Sequence, residues 1–329
     1  MITYDLDVVT MRGGAIESRH RVHAAVVDGR GTLRGQAGHP DLVTHWRSCA
    51  KPFQVMPLLE SGYTDQIGWG DDEIALACAS HGGEPEHVAI ASGMLESLGL
   101  EEGDLACGPH TPLSPRGARL LKESGQSATR VHNNCSGKHA AMLALAKGCH
   151  WSILDYQEEG HPVQESVLAA VARWSGVPAS QIACGVDGCS VVTFALPLSA
   201  MARAFARLAD AARRYEQPAY RITSAMRTRP FLVGGTDRFD SVVMEETDGA
   251  VLLKVGAEGV HTVALTEQPV AFAIKVEDGA QRAQYPAVLR LLQHLGVLPE
   301  ELPPGLAPFA RAPVHNTRGE VVGEVRCLS

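Results

Sequence analysis

"RSCAKPFQVMPLLE", residues 47–60, decides how the rest of the chain is read. Ser48 and Lys51 stand three residues apart, ahead of an apolar run with Phe53, Val55, Met56, Leu58 and Leu59. A serine before such a run signals a helix start, and positions i and i+3 share one helical face. Pro52 is compatible because it falls in the first turn. In the ordinary reading Ser48 caps the helix and Lys51 is solvated. In the functional reading Lys51 is buried among the apolar side chains, which disfavours its charged form. It then takes the proton of a nucleophilic Ser48.

The whole chain sets the frame for that choice. Its 329 residues suffice for one large domain or two modest ones. Hydrophobic content of 45% and charged content of 20% place it among soluble globular proteins. A formal net charge of -8 argues against nucleic acid as a partner. No run approaches the ~18 apolar residues of a membrane span. The N-terminal "MITYDLDVVTMRGG" has two early acids and no apolar core of a signal peptide, so a cytoplasmic location is expected. With no repeat, low-complexity tract or Ser/Gly linker, a single catalytic domain over 1–329 is expected.

Helices are expected at 51–60, 72–79, 85–98, 138–147, 163–174, 200–214 and 286–295. Strands are expected at 22–27, 321–325 and 250–260, the last ending at Gly256. The Pro-rich "LPPGLAPFARAP", 302–313, reads as a loop rejoining a strand. Strands at both ends and helices in the middle imply an α+β fold, an antiparallel sheet with a helical cluster.

Four further stretches carry chemistry. "ACASHGGEPEH", 77–87, sets Ser80 and His81 at a helix end before Gly82 and Gly83, which let backbone approach a ligand closely. "HNNCSGKHAAMLALAKG", 132–148, offers Asn133, Asn134 and Ser136 as helix caps. It also puts Cys135 where the helix dipole favours a thiolate. Lys138 and His139 in the first turn oppose that dipole, which calls for a lowered lysine pKa or a metal. "ACGVDGCSVVTFALPL", 183–198, places Asp187 between Gly185 and Gly188 and between Cys184 and Cys189. A Cys-x4-Cys pair alone is a weak zinc signal, but thiolates from distant segments can converge. In "LLKVGAEG", Lys254 ends a strand before Gly256. The eight cysteines are expected as thiols or metal ligands, most of them buried.

Together "RSCAKPFQ", "SHGGEPEH", "HNNCSGKHAAML", "GVDGC" and "KVGAEGV" resemble the asparaginase II family of rhizobia and other bacteria, in order and over nearly the whole chain. The resemblance implies a fold related to serine β-lactamases and glutaminases, a homodimer, and hydrolysis of L-asparagine to L-aspartate and ammonia. It implies Ser48 as nucleophile with Lys51 as its base, and Ser80 paired with Lys254. It implies zinc held by Cys135, Lys138 and Cys189, with Asp187 in the pocket. Asp187 then suits the substrate amine and Arg47 its carboxylate, while His139 orients Asp187 or water. Two alternatives stand beside asparagine hydrolysis. One is a Ser-Lys hydrolase acting on glutamine, a β-lactam or another amide. The other is a zinc-binding regulatory protein without turnover.

Overall fold

The computed structural model describes residues 1–328. Ser329, the last residue of the expected domain, lies outside the described residues. The chain divides into two compact units. One comprises Met1–Cys49, Leu196–Arg207 and Leu253–Ser329, and the other Ala50–Ala195 and Leu208–Leu252.

The first unit is built on sheets. One has six strands in the order Ile2–Thr3, Leu33–Ala37, Val22–Asp28, Val270–Val276, Val260–Leu265 and Val251–Val255. Ile2–Thr3 runs parallel to its neighbour, and the central pairs are antiparallel. Val22–Asp28 pairs along its whole length with Val270–Val276, from Val22 opposite Val276 to Asp28 opposite Val270. Both strands are apolar and almost wholly buried, as continuous Val/Ala/Ile runs require when both faces are covered. A second sheet orders Ala312–His315, Val321–Cys327, Val8–Arg12 and Ala15–His20. The helix Gln281–His294 packs on Val321–Cys327, Val270–Val276 and Val8–Arg12. The segment expected as a loop, 302–313, contains the short helix Ala307–Ala310 and the start of the strand Ala312–His315.

The second unit is mostly helical. Lys51–Glu60, Asp71–Cys78 and Ser136–Gly148 pack on one another at its centre. Pro85–Ser97, Pro162–Ser175 and Ala219–Thr228 pack around them. Lys51–Glu60 buries every residue but Glu60, and Ser136–Gly148 is buried continuously from Ser136 to Ala146. A helix apolar all round belongs inside a core, which is why these two stand out in the sequence. Gly137 explains how closely two of them approach. A Cβ there would lie 2.5 Å from the Leu76 carbonyl oxygen. An antiparallel pair, Ala183–Val186 with Val192–Pro197, leaves this unit through Leu196.

The expected helices all form, with ends shifted by a few residues. Position 256 does end a strand, at Val255, and Val260–Leu265 follows. The middle of the chain also holds Pro115–Glu123 and Phe239–Glu246, which the apolar pattern alone did not show. Among the described residues no helix is long and apolar enough to cross a membrane.

Candidate functional site

Residues 47–50 form a 3₁₀ turn, and the α-helix starts only at Lys51. The expectation that Ser48 caps an α-helix is corrected: the N-cap is Ala50, and no side chain caps that helix. The cause lies one residue earlier. Arg47 takes φ +53, a left-handed conformation that non-glycine residues adopt at a steric cost. The turn is seated within the first unit. Trp46 Nε1 donates to Thr262 Oγ1 at 3.2 Å, and Cys49 Sγ donates to the Lys254 carbonyl at 2.9 Å. Gly256 makes room for this seat, because a Cβ there would lie 2.9 Å from Cys49 Sγ and 3.2 Å from the Trp46 carbonyl. The first unit thus holds Arg47 and half-buried Ser48 on the turn that grips the end of the Lys254 strand. Lys254 itself is fully buried, and its Nζ donates to the Val255 carbonyl at 2.9 Å.

The second unit brings Lys51 to Ser80. Lys51 is fully buried. Its Nζ meets the Ala79 carbonyl, Ser80 Oγ at 3.2 Å and the Asn134 carbonyl at 3.2 Å. This cage serves either protonation state. An ammonium has three N–H donors for three oxygens. An amine has two for the carbonyls, and its lone pair is left to accept the Ser80 hydroxyl proton. A group satisfied both ways is suited to moving a proton.

The loop after Ser80 is held by a stacked column. Gly83 N–H donates to His81 Nδ1 at 3.2 Å, so His81 Nε2 donates to Ser136 Oγ at 2.9 Å. The Ser136 hydroxyl donates onward to the Val131 carbonyl at 3.0 Å. His87 repeats the pattern, accepting from Glu84 N–H at 3.2 Å and donating to the Phe231 carbonyl at 3.0 Å. The two rings stack with centroids 5.1 Å apart, and His87 stacks on Phe231 at 4.7 Å. Each Nδ1 faces an N–H, so both rings are neutral. Burial pushes both pKa values down, that of His81 far down, and for His81 the neighbouring His87 and Lys51 add to it. Glu84 is fully buried. Burial opposes its charge, but Arg116, the Thr236 N–H and hydroxyl, and the Ser114 hydroxyl outweigh it and lower its pKa. Gly82 and Gly83 do permit close approach, but to protein. A Cβ at Gly82 would lie 2.6 Å from Ser114 Cβ, and one at Gly83, where φ is +69, would lie 2.8 Å from the His132 carbonyl.

Cys135, Lys138 and Cys189 also converge. Lys138 Nζ donates to Cys189 Sγ at 3.0 Å, and the thiols of Cys135 and Cys189 hydrogen-bond to each other. Cys135 is the N-cap of its helix, while Asn133 Oδ1 accepts the Cys135 N–H at 2.9 Å. The expectation of a Cys135 thiolate is corrected. Its bond to Cys189 and its burial push its pKa up. Cys189 takes the negative charge instead, its pKa lowered by the Cys135 bond and, against the effect of burial, by Lys138. The expectation of a lowered Lys138 pKa is likewise corrected. Burial disfavours the ammonium, but Cys189, Cys135 and Asp187 outweigh it and raise the pKa. Asp187 reaches this group from a tight turn: its N–H donates to the Val191 carbonyl at 2.8 Å, and Ser190 takes φ +77.

His139 is held by a tyrosine. Its Nδ1 lies 2.6 Å from Tyr156 Oη, which also accepts the Ala106 N–H at 2.9 Å. The tyrosine hydroxyl therefore donates to Nδ1, and the other side of the ring is turned to the Cys189 backbone. Burial, with Lys138 beside it, pushes the His139 pKa down to about 3. Tyr156, Glu84 and the His81 contacts escaped sequence reasoning, because each partner is remote in sequence. Among the described residues all eight cysteines are free thiols. Also among them, no group of three or more His, Cys, Asp or Glu side chains could hold a metal. A metal at Cys135 and Cys189 would need a donor of another kind, and the Lys138 nitrogen is already in contact with Cys189.

The family model for L-asparaginase II matches residues 8–327, and the chain belongs to that family. Membership implies an amidohydrolase acting on a small molecule. No curated protein matches the chain. Among solved structures it is similar to one described as "Crystal Structure Analysis of Mglu in its native form". That likeness has TM-score 0.47 and 14% identity over 85% of this chain and 66% of the other. A second, "Crystal Structure Analysis of Mglu", has TM-score 0.38 and 15% identity over 90% of this chain and 72% of that one.

Proposed function

We propose that the protein hydrolyses L-asparagine to L-aspartate and ammonia through a serine nucleophile served by Lys51. The observation that carries this reading is the fully buried Lys51 caged by a serine hydroxyl and two carbonyls. Membership in the L-asparaginase II family supports the substrate. Ser48 Oγ attacks the side-chain amide carbon, and its proton passes to Lys51. The tetrahedral intermediate collapses by breaking the C–N bond, and the nitrogen leaves as ammonia with a returned proton. Water then cleaves the aspartyl ester on Ser48 by the same proton path. Ser80 and Lys254 form the second pair in this reading. Asp187 binds the substrate amine and Arg47 its carboxylate. His139, its Nδ1 held by Tyr156, orients Asp187 or water in this reading.

The donor set of Cys135, Cys189 and Lys138 fits zinc, being two thiols and an amine already in mutual contact. Bound zinc supplies Lewis-acid charge, and its binding releases the Lys138 and Cys135 protons. The same reading places the fold with serine β-lactamases and glutaminases. It also takes the chain as a cytoplasmic homodimer, which light scattering on the purified protein tests.

A second reading is favoured by one contact: Lys51 Nζ lies 3.2 Å from Ser80 Oγ within one unit. Ser80 is then the nucleophile and Ser48 its relay. Ammonia release from asparagine, glutamine and other amides, with and without chelator, tests the substrate. Ser48→Ala is expected to lower asparagine turnover on the order of 10³-fold or more while the protein stays folded. Mass spectrometry of the trapped acyl-enzyme separates the serines. An ester that persists in Ser48→Ala and vanishes in Ser80→Ala decides for the second reading.

A further inference from the structure

The Pro-rich segment that follows Leu302 has no part in the candidate site, and it encloses a cavity. In the first unit, Leu302, Ala307, Ala310 and Arg311 face the helix residues Pro286, Arg290 and Gln293 and the strand residues Arg326 and Cys327. The space between them is about 320 Å³, at the small end of the ~300–1,000 Å³ typical of ligand pockets. One part of its wall is apolar, from Pro286, Leu302, Ala307 and Ala310. The rest carries three guanidinium groups, the Gln293 amide and one carboxylate, Glu300.

Two of these are engaged with each other's partner. Arg326 Nε pairs with Glu324 at 2.9 Å, and its Nη1 donates to the Cys327 carbonyl at 2.9 Å. Arg311 Nη1 reaches Glu324 at 3.9 Å. Arg290 differs. Its Nη1 meets Glu300 at 3.3 Å, but that carboxylate is 86% exposed, so the pair is weak. Arg290 Nε is buried and has no hydrogen-bond partner. A buried guanidinium N–H is rarely left unmet, and its edge matches the two oxygens of a carboxylate.

We propose that this cavity binds a small organic anion, a single carboxylate on a short hydrocarbon body. The carboxylate accepts from Arg290 Nε, and the hydrocarbon lies against Pro286, Leu302, Ala307 and Ala310. The apolar wall disfavours a bare inorganic anion. None of the residues of the proposed reaction lines the cavity, so this inference stands whether or not that reaction is correct.

Calorimetric titration of the full-length protein tests it, with sodium butyrate, inorganic phosphate and sodium chloride at matched ionic strength. Butyrate is expected to bind one saturable site per chain, and phosphate and chloride are not. Arg290→Met is expected to weaken butyrate at least tenfold. Ala307→Trp, at an exposed position, fills the cavity without removing a charge and is expected to do the same. It keeps the test decisive if Arg290→Met does not fold. Absence of saturable butyrate binding to the wild type overturns the proposal, as does saturable phosphate binding in its place. Butyrate binding that survives in Ala307→Trp overturns it too.

Discussion

Glu84→Gln is the most informative single change in the second unit. The carboxylate is fully buried and accepts from Arg116, from both the N–H and the hydroxyl of Thr236, and from Ser114. The amide has the same shape, keeps one acceptor oxygen and turns two N–H donors on groups that are themselves donors. Removing one partner of a buried ion pair costs about 3–5 kcal/mol. Arg116 is 34% exposed, so water screens part of the interaction. It also keeps Glu86, at 2.8 and 2.9 Å. These two facts lower the expected loss to ~2–4 kcal/mol, most of it from donors left facing an amide. A pH signature accompanies it. The folded Glu84 pKa is below its ordinary 4.5, so its contribution is present above 4.5 and is lost as pH falls through the folded value. Glutamine does not titrate, so the gap between wild type and variant is expected to narrow as pH falls below about 4.5 toward the folded value. Urea unfolding followed by tryptophan fluorescence, from pH 7 to pH 3.5, measures both. A loss below about 0.5 kcal/mol at pH 7, or a gap that stays constant with pH, refutes a buried, charged Glu84.

Gly137→Ala puts a Cβ 2.5 Å from the Leu76 carbonyl oxygen, with backbone on both sides. It is expected to destabilise by about 1–3 kcal/mol in urea unfolding, and an unchanged midpoint would mean that the two helices stand further apart. His81 and His87 have folded pKa values below the ordinary 6.5, so the unfolded chain takes up protons that the folded one refuses. Wild-type stability should therefore fall as pH drops from 7 to 5.5, through the ordinary histidine value. Equal melting temperatures at those two pH values would contradict the neutral stacked column. The purified protein is expected to carry zinc near one per chain, and Cys135→Ala and Cys189→Ala to lose it. Elemental analysis that finds full zinc in both variants would place the metal elsewhere.

What was legible in the sequence follows from how each feature is encoded. The helix Ser136–Gly148 is buried on every side, so its Ala, Leu and Met run stands out against any background. The short motifs are local. The structure brings Lys138 to Cys189 and Cys189 to Cys135, and it sets Lys51 beside Ser80, a pairing that the sequence reading did not make. Charge states were not legible. Cys135 has the helix position that favours a thiolate, yet Cys189 takes that role, because a hydrogen bond from a residue 54 positions away outweighs a local dipole. The same holds for His139, whose ring is set by Tyr156. The sequence offers Arg47 as a carboxylate binder, and only the backbone shows it in the left-handed region. Pattern reports burial and periodicity. It does not report which remote donor reaches which acceptor.

The two buried lysines of the second unit illustrate why that distinction matters for chemistry. Both are enclosed, and composition alone treats them alike. Lys138 sits against a thiolate-forming cysteine, with Asp187 adding to the field, and each of these stabilises its positive charge. Such an amine is a fixed cation until a metal replaces its proton, and it is a poor acceptor for a serine hydroxyl. Lys51 is bonded instead to three neutral oxygens, two carbonyls and one hydroxyl. Neutral acceptors satisfy its hydrogen bonds without holding an ion pair that a proton transfer would have to break. Of the two, Lys51 alone has a hydroxyl within hydrogen-bond distance in its cage and no carboxylate bonded to it. The partners therefore set the two apart: Lys138 lies beside thiols and the charge of Asp187, and Lys51 beside neutral oxygens, which suits the proton-transfer role proposed for it. Exchanging those surroundings, rather than the lysines themselves, is the change that should exchange their roles.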